Sequence, residues 1–389
     1  MNTQENQNKR NDVIMKISKK RIVIVLLILA VGAAGIVYYL TQNTTYKNIQ
    51  VAGTYEAIGM DNGNYIQYAD GVLKYSKDGI AFLTQQGEQL WNQSCQMANP
   101  IVERCGGMSD ESVVVADQGG TSILVFQKDG LKGEINATRP IEKVAVSEQG
   151  IVAAVLQDAD TPMVMCYDAK GNVLVKHTAS LENTGYPLDI AISPDGNVLL
   201  VSYLCIEGTT LHTKTAYYHF GEAGEDKTNH LVAETDYQDT IIPTTAFLGG
   251  EKSLLISEEA FILYDGLEKP EEKRVVELGK EIKSVAYDRE HIVFVLKNED
   301  SNLYELRIYN TSGTMLGTTE FEGEYTNLKV TGKQIVLFSA NICAIFNEKG
   351  FCKYQGTLEN SIINLFPITG INKYMMISAD GFEEVQLAK

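Results

Sequence analysis

The chain is 389 residues long and carries a net charge of −17 at pH 7, and 44% of its residues are apolar or aromatic. This apolar share is ordinary for a globular protein that is large enough to bury a substantial core. A surface this acidic repels the phosphates of nucleic acids, so we expect no nucleic-acid partner.

The first 21 residues carry the opposite charge from the rest of the chain. They hold six basic and two acidic side chains, a balance of +4, so residues 22–389 carry −21. Residues 22–40 contain no charge, and at about 1.5 Å per residue a helix of this length crosses the hydrocarbon layer of a bilayer. We predict a transmembrane helix that begins at Ile22, ends at Leu40 and has the lipid bilayer as its partner.

The charge pattern also predicts the orientation and the domain boundaries. Basic residues favour the cytoplasmic side, so residues 1–21 are predicted to form a cytoplasmic tail and the chain after residue 40 to lie outside the cell. A short linker at 41–45 then leads to one extracellular domain at 46–389. A cleaved signal peptide is the alternative, although the apolar run is longer than such a peptide needs.

Residues 70–91 introduce a repeat that predicts an all-β fold. The stretch DGVLKYSKDGIAFLTQQGEQLW reads as three short strands with turns at Asp78-Gly79 and at Gly87, because glycine tolerates a positive φ. The second turn recurs at intervals of about 40 residues where copies are consecutive, a spacing typical of propeller blades. The glycines of this turn are Gly87, Gly130, Gly171, Gly313 and Gly350.

A further short strand precedes most copies, so each unit has the four strands of one propeller blade. The sequence predicts a β-propeller of eight blades, with seven as the alternative count, and an insertion in the fourth blade near residues 206–215. The last copy supplies only three strands. We predict that residues 46–53 add its outer strand, because this pairing closes the ring and removes an open sheet edge.

Two resemblances rest on these motifs. The repeat at residues 70–91, which ends in Trp91, resembles the repeats of quinoprotein-like propellers. The order of an apolar segment, NPIVERCGG, VVVADQGG and GYPLDIAISPDG resembles an uncharacterised family of membrane-anchored propellers from Gram-positive bacteria, which has no established activity. Quinoprotein dehydrogenases use adjacent cysteines and a ring of Trp motifs. Here no cysteines are adjacent and only Trp91 fits, so we expect no cofactor.

Motifs of catalysis and of metal binding are missing from the sequence. The six cysteines form no CxxC, the five histidines form no HExxH, and neither a GxSxG elbow nor a P-loop occurs. We therefore expect no catalytic residue and no metal site. Cys343 and Cys352 are predicted to lie on one hairpin, where either a disulfide or two free thiols fits the sequence.

Four charged residues fall at similar points of the predicted innermost strands. Propellers often bind ligands where these strands begin, at the mouth of the central channel. The candidate ligand-binding residues are Glu103, Glu142, Asp189 and Lys283. Charges that are merely solvated, or paired with one another, are the alternative interpretation.

These features favour a membrane-tethered, non-catalytic propeller that acts outside the cell as a binding or scaffold module. Its expected partner is a protein of the cell envelope or a wall component. The alternative is a propeller enzyme, a hydrolase or lyase that acts on extracellular glycan. Two carboxylates with shifted pKa values in the channel would favour the enzyme, whereas mixed opposite charges or an exposed apolar patch would favour binding.

Overall fold

The computed structural model describes residues 19–55, 63–105, 111–157, 161–179, 184–299 and 301–389. The chain divides into two units, Met1–Thr45 and Tyr46–Lys389. In the first unit, helix α1 spans Lys19–Gln42. Its last turn is closed by side chains, because Asn43 Nδ2 donates to the carbonyl of Tyr39 at 2.9 Å and Thr44 Oγ1 donates to that of Leu40 at 2.6 Å.

The transmembrane helix predicted over residues 22–40 lies within α1. Among the residues that the structure describes, no helix combines the length and the apolarity that crossing a membrane requires. The transmembrane segment is therefore not confirmed and stays a prediction.

The second unit is a β-propeller, and the predicted count of eight blades is confirmed. Each blade is one four-stranded antiparallel sheet. Blades 1 and 2 contain β2 (Asn64–Tyr68), β3 (Gly71–Tyr75), β4 (Gly79–Thr84), β5 (Gln89–Ser94), β6 (Pro100–Arg104), β7 (Ser112–Asp117), β8 (Ser122–Gln127) and β9 (Gly130–Asn136). Blades 3 and 4 contain β10 (Ile141–Val146), β11 (Val152–Leu156), β12 (Met163–Tyr167), β13 (Val173–Thr178), β14 (Tyr186–Ile192), β15 (Val198–Glu207), β16 (Thr210–His219) and β17 (Leu231–Tyr237).

The second half of the ring follows the same order. Blades 5 and 6 contain β18 (Thr244–Phe247), β19 (Lys252–Ile256), β20 (Ala260–Asp265), β21 (Glu271–Glu277), β22 (Ile282–Tyr287), β23 (His291–Lys297), β24 (Tyr304–Asn310) and β25 (Met315–Phe321). Blades 7 and 8 contain β26 (Asn327–Thr331), β27 (Gln334–Ser339), β28 (Ile342–Asn347), β29 (Cys352–Thr357), β30 (Ile362–Pro367), β31 (Lys373–Ser378), β32 (Gly381–Ala388) and β1 (Asn48–Tyr55). A short helix α2 (Glu222–Glu225) and a 3₁₀ turn (Thr228–His230) join β16 to β17.

The turn before the outer strand is formed by the same local features in several blades. The five glycines predicted for this turn all have positive φ, between 74° and 120°. In three copies an Asx side chain three residues earlier accepts backbone N–H bonds from both sides of the turn. Asp168 Oδ1, for example, accepts from the N–H groups of Lys170 and Asn172 at 2.9 Å each. This Asx turn fixes the hairpin from sequence-local contacts alone.

Apolar contacts between neighbouring blades form the core. In the described part of the chain these contacts make eight clusters, one at each junction between blades. At the junction of blades 5 and 6, the rings of Phe261 and Phe294 stack with centroids 5.3 Å apart, and Tyr309 meets Phe261 edge-on at 5.0 Å. The blades are therefore held to one another by side chains, while hydrogen bonds hold each blade together internally.

Blade 8 is completed by a strand from the other end of the propeller sequence, as predicted for residues 46–53. Strand β1 pairs antiparallel with β32, from Asn48 opposite Ala388 to Tyr55 opposite Phe382. The backbone N–H of Tyr46 also donates to the carbonyl of Lys353 in blade 7 at 2.7 Å. The ring is thus closed by hydrogen bonds between the first and the last strand.

The six cysteines are free thiols. Cys343 lies opposite Gly356 and Cys352 lies opposite Phe346, so the two residues are not directly paired across the hairpin. The disulfide considered for Cys343 and Cys352 is therefore not formed.

Two glycines of outer strands permit the close approach of the next blade. A Cβ on Gly133 of β9 would lie 1.4 Å from the carbonyl oxygen of Ala169 in blade 3. A Cβ on Gly317 of β25 would likewise lie 2.2 Å from the carbonyl carbon of Lys349 in blade 7. In both places the missing side chain makes room for the backbone of the following blade.

We predict that Gly133→Ala lowers the free energy of unfolding by about 1–3 kcal/mol, because backbone must move to accommodate the methyl group. Chemical denaturation of the full-length protein measures this change. Glu134→Ala is the matched control, because Glu134 is exposed on the same strand. Equal stability of the two variants would contradict the close contact.

Candidate functional site

The innermost strands of blades 2 to 5 line a cavity in the central channel. Its volume is about 360 Å³, and Tyr287 of blade 6 contributes to its wall. A cavity of this size lies near the lower end of the range of small-molecule sites. The site is therefore built from strand residues of several blades, whose mutual positions are fixed by the packing between blades.

Three of the four predicted residues meet in this cavity. Glu103 of β6, Glu142 of β10 and Asp189 of β14 all line it. Lys283 is not among the described residues that line it; its ammonium group instead contacts Glu281 at 2.6 Å. The register of β22 shifts at this point, between Ile282 and Ser284. Strand β10 has the same shift between Ile141 and Lys143, and Glu142 nevertheless lines the cavity. The cavity lies mainly against blades 2 to 5, whereas Lys283 belongs to blade 6.

Asp189 ties three blades together. Its Oδ1 accepts from Lys143 Nζ of blade 3 at 2.9 Å. Its Oδ2 accepts from the backbone N–H of Thr245 in blade 5 at 2.7 Å and from Thr245 Oγ1 at 3.2 Å. The Asp189 side chain is 17% exposed and that of Lys143 is 40% exposed. This carboxylate is thus satisfied by one cation and two neutral donors.

Glu142 is also held by a neighbouring blade. The Tyr186 hydroxyl of blade 4 donates to Glu142 Oε2. Gln118 of blade 2 donates its Nε2 to the backbone carbonyl of Glu142 at 3.1 Å. These contacts hold the beginning of β10 between blades 2 and 4.

Glu103 differs from the other two carboxylates. Within the described part of the chain it accepts no hydrogen bond, and its side chain is open to the cavity. Protein nevertheless encloses the cavity from the sides. This enclosure, with the nearby Asp189 carboxylate, raises the pKa of Glu103 from 4.5 to about 7, against the opposing influence of Arg104 and Lys143. Near neutral pH, Glu103 is therefore divided between its charged and neutral forms.

Sequence reasoning missed several residues of the site. Arg104 lines the cavity beside Glu103 and donates to the backbone carbonyl of Gln67 in blade 1. Lys143 follows Glu142 directly. An available signal was the basic residue immediately after each acidic one in β6 and β10. Tyr287 carried no comparable signal, because its place in the wall depends on the curvature of the ring.

A second cavity of about 260 Å³ continues on the other side of Arg104. Arg289, which lies in the turn after β22, lines it and donates to the Glu148 carboxylate of blade 3. Blades 3 and 6 are not neighbours in the ring. This ion pair therefore reaches across the channel.

The chemical character of the cavity is a mixture of opposite charges. Its cysteine, Cys105, is held as a neutral thiol, because burial raises its pKa to about 12. No group of three or more His, Cys, Asp or Glu side chains that could hold a metal ion occurs among the described residues. The lining is suited to binding polar or charged groups at fixed positions.

Glu103 gives stability an expected pH dependence. Its pKa is higher in the folded state than the ordinary value of 4.5, so its stabilising contribution is complete below about pH 4.5 and is lost as the pH rises through about 7. We predict that Glu103→Gln raises the melting temperature at pH 8 and leaves it nearly unchanged at pH 4.5. Thermal unfolding at both values measures this, with Glu134→Gln as the control. A stability difference independent of pH would contradict the assignment.

The chain resembles proteins of known structure, and the first of them supports the propeller fold. BamB from Moraxella catarrhalis superposes with a TM-score of 0.52 and 13% identity, over 87% of this chain and 100% of that one. Hsv2p from Kluyveromyces lactis gives a TM-score of 0.49 and 7% identity, over 77% of this chain and 98% of that one. No curated protein matches the sequence. Residues 42–387 match a family of unknown function, DUF5711, and the chain therefore belongs to that family.

Proposed function

We propose that this protein is a non-catalytic, membrane-tethered propeller that binds a protein of the cell envelope outside the cell. The observation that carries the proposal is a projecting hairpin in blade 4, formed by residues 205–212 and called here the blade-4 arm. The channel and the charge of the domain give further support. The proposal of a membrane tether is supported by the sequence alone.

The blade-4 arm is an extension of β15 and β16. These two strands have ten residues each, whereas the second and third strands of the other blades have five to eight. The flanking strands stop short of it, because β14 pairs with β15 only as far as Leu204 and β17 pairs with β16 only as far as Thr213. The three residues of each strand beyond these pairings reach roughly 10 Å further. The sequence had predicted an insertion at this place.

The tip of the arm exposes apolar side chains. Ile206 and Leu211 lie opposite each other across the two strands and are 65% and 47% exposed. A two-stranded ribbon without a flanking strand is only marginally stable in water, and exposed apolar residues at its tip gain by being covered. The arm rises at the end of the sheet where β14 begins, the end that carries Tyr186. We therefore propose that a partner protein covers the arm.

The channel favours binding over the glycan hydrolase or lyase considered above. Acid–base hydrolysis of a glycan uses two carboxylates of which one is a raised-pKa acid and the other a free base or nucleophile. Here Asp189 is occupied by Lys143 and Thr245, and Glu142 by Tyr186. Glu103 has the raised pKa of an acid, but the two carboxylates that could act as its base or nucleophile are engaged. A lining of mixed opposite charges with engaged carboxylates favours a binding or structural site.

The charge of the domain favours a protein over a wall polymer as the partner. Residues 22–389 carry −21, and most bacterial wall polymers are anionic as well. Like charges oppose association unless cations bridge them. A protein with an apolar or basic contact surface meets no such barrier.

We predict that a photo-crosslinking residue at position 206 attaches in cells to one or two specific proteins, and that the same residue at position 173 does not. Val173 is a suitable control because it is 53% exposed on an outer strand of blade 3. The double variant Ile206→Ser with Leu211→Ser should lose the partner while its melting temperature stays near the wild-type value, since both side chains are already in solvent.

The matched control is the double variant Val173→Ser with Leu174→Ser, which removes a similar exposed apolar pair elsewhere. If both double variants retain the partner equally, or if positions 173 and 206 attach to the same set of proteins, the arm is not the binding surface.

The tether has its own test. We propose that residues 22–40 anchor the protein, because this segment has no charge and follows six basic residues. Full-length protein should remain with membranes after washing at alkaline pH, and added protease should digest the propeller of intact cells whose wall has been removed. Release by the alkaline wash would exclude an integral anchor, and protection of the propeller would reverse the orientation.

A further inference from the structure

The charges that line the channel cavity do not balance. Within the described residues they comprise three carboxylates, those of Glu103, Glu142 and Asp189, and two cations, those of Arg104 and Lys143. With Glu103 ionised, the lining carries one negative charge that no lining cation offsets. A ligand with a single positive charge would complete the balance.

The unbalanced charge is located at Glu103. Asp189 and Glu142 are both engaged by neighbouring blades, and the Arg104 guanidinium is directed to the carbonyl of Gln67. Glu103 alone among the lining carboxylates accepts no hydrogen bond from the described residues. A carboxylate that is enclosed by the channel walls and lacks a protein donor gains from a cationic donor that enters the cavity.

We infer that the channel cavity binds a small organic cation with one primary ammonium group, which donates its hydrogen bonds to the Glu103 carboxylate. An ammonium group supplies three donors and one charge in a compact volume. Apolar side chains of the wall, including Ile101, Val144 and Ile190, provide contact for a short hydrocarbon portion. The volume of about 360 Å³ corresponds to roughly a dozen water molecules, which limits the ligand to a small one.

The groups that face Glu103 support a cation rather than an anion. Burial has the largest influence on the pKa of Glu103 and raises it, as does the Asp189 carboxylate. The Arg104 and Lys143 charges each lower this pKa by a smaller amount. Burial raises the pKa of the Tyr75 and Tyr287 phenols, and the Glu103 charge raises it further. Both phenols are therefore neutral. An incoming ammonium group would therefore meet the Glu103 carboxylate with the neutral phenol of Tyr287 in the wall. The Lys143 cation is engaged by Asp189, and the Arg104 cation by the carbonyl of Gln67.

Calorimetric titration of the full-length protein with n-butylammonium chloride at pH 8 tests the inference. We expect saturable binding of one ligand per chain. Glu103→Gln should weaken it by about tenfold or more, the usual effect of losing a hydrogen bond to a charged group. Glu134→Gln, on the exposed outer strand of the same blade, should bind like the wild type. Sodium butyrate, an anion of the same length, should show no saturable binding.

The pH dependence adds a readout that a structural role alone would not change. Butylammonium keeps its proton from pH 6 to pH 8, as lysine does, whereas Glu103 gains its charge over this interval. Wild-type affinity should therefore rise by about tenfold in total between pH 6 and pH 8, because the ionised fraction of Glu103 rises from about a tenth to about nine tenths. Glu103→Asp keeps the charge and should keep this rise, while Glu103→Gln should lose it.

Three results would overturn the inference. They are the absence of saturable butylammonium binding, equal binding by Glu103→Gln and wild type, and preferential binding of butyrate or calcium chloride. The cavity and the blade-4 arm use different residues. Failure of this inference therefore leaves the proposed protein-binding function unaffected, and the reverse also holds.

Discussion

Each blade of this protein is apolar on both of its faces, and this constraint determines the rest of the architecture. In blade 3 every residue of β11 and β12 is buried. Val152 and Ala154 pack towards blade 2, whereas Ala153 and Val155 pack towards blade 4. A sheet with two apolar faces needs a neighbouring sheet on each side. An open row of such sheets would expose one apolar face to water at each end. Only a closed ring satisfies all eight blades.

Closure places eight innermost strands around a common axis, where polar and apolar side chains surround a cavity. The polar side chains connect the blades. Their contacts run between blades: Lys143, Asp189 and Thr245 come from three consecutive blades, and Arg289 reaches Glu148 on a blade that is not adjacent. The channel thus fastens the inner rim of the ring. Glu103 is the exception, since the fastening contacts leave it without a donor. The same region is therefore both a structural junction and a cavity that an unengaged carboxylate faces.

Much of the fold could be predicted because its determinants are local in sequence. The turn glycines, such as Gly171 and Gly313, must have positive φ, and their spacing reveals the blade period. The closing strand followed from counting strands. The site was harder to predict from the sequence, because side-chain direction on an innermost strand depends on bulges and on the curvature of the ring. Lys283 lies at a bulge like that of Glu142 but outside the cavity, and Tyr287 belongs to the wall without any motif.

The pairing of β1 with β32 also determines when blade 8 can be completed during synthesis. Asn48 emerges from the ribosome long before its partner Ala388, and at about 5–20 residues per second the interval is on the order of 20–70 seconds. Seven blades take their strands from consecutive sequence, so each can fold as it emerges, and blade 8 alone must wait. Five of the eight residues of β1 are exposed even in the finished ring. The strand with the longest delay is thus held in blade 8 more by its backbone pairing with β32 than by the burial of its side chains.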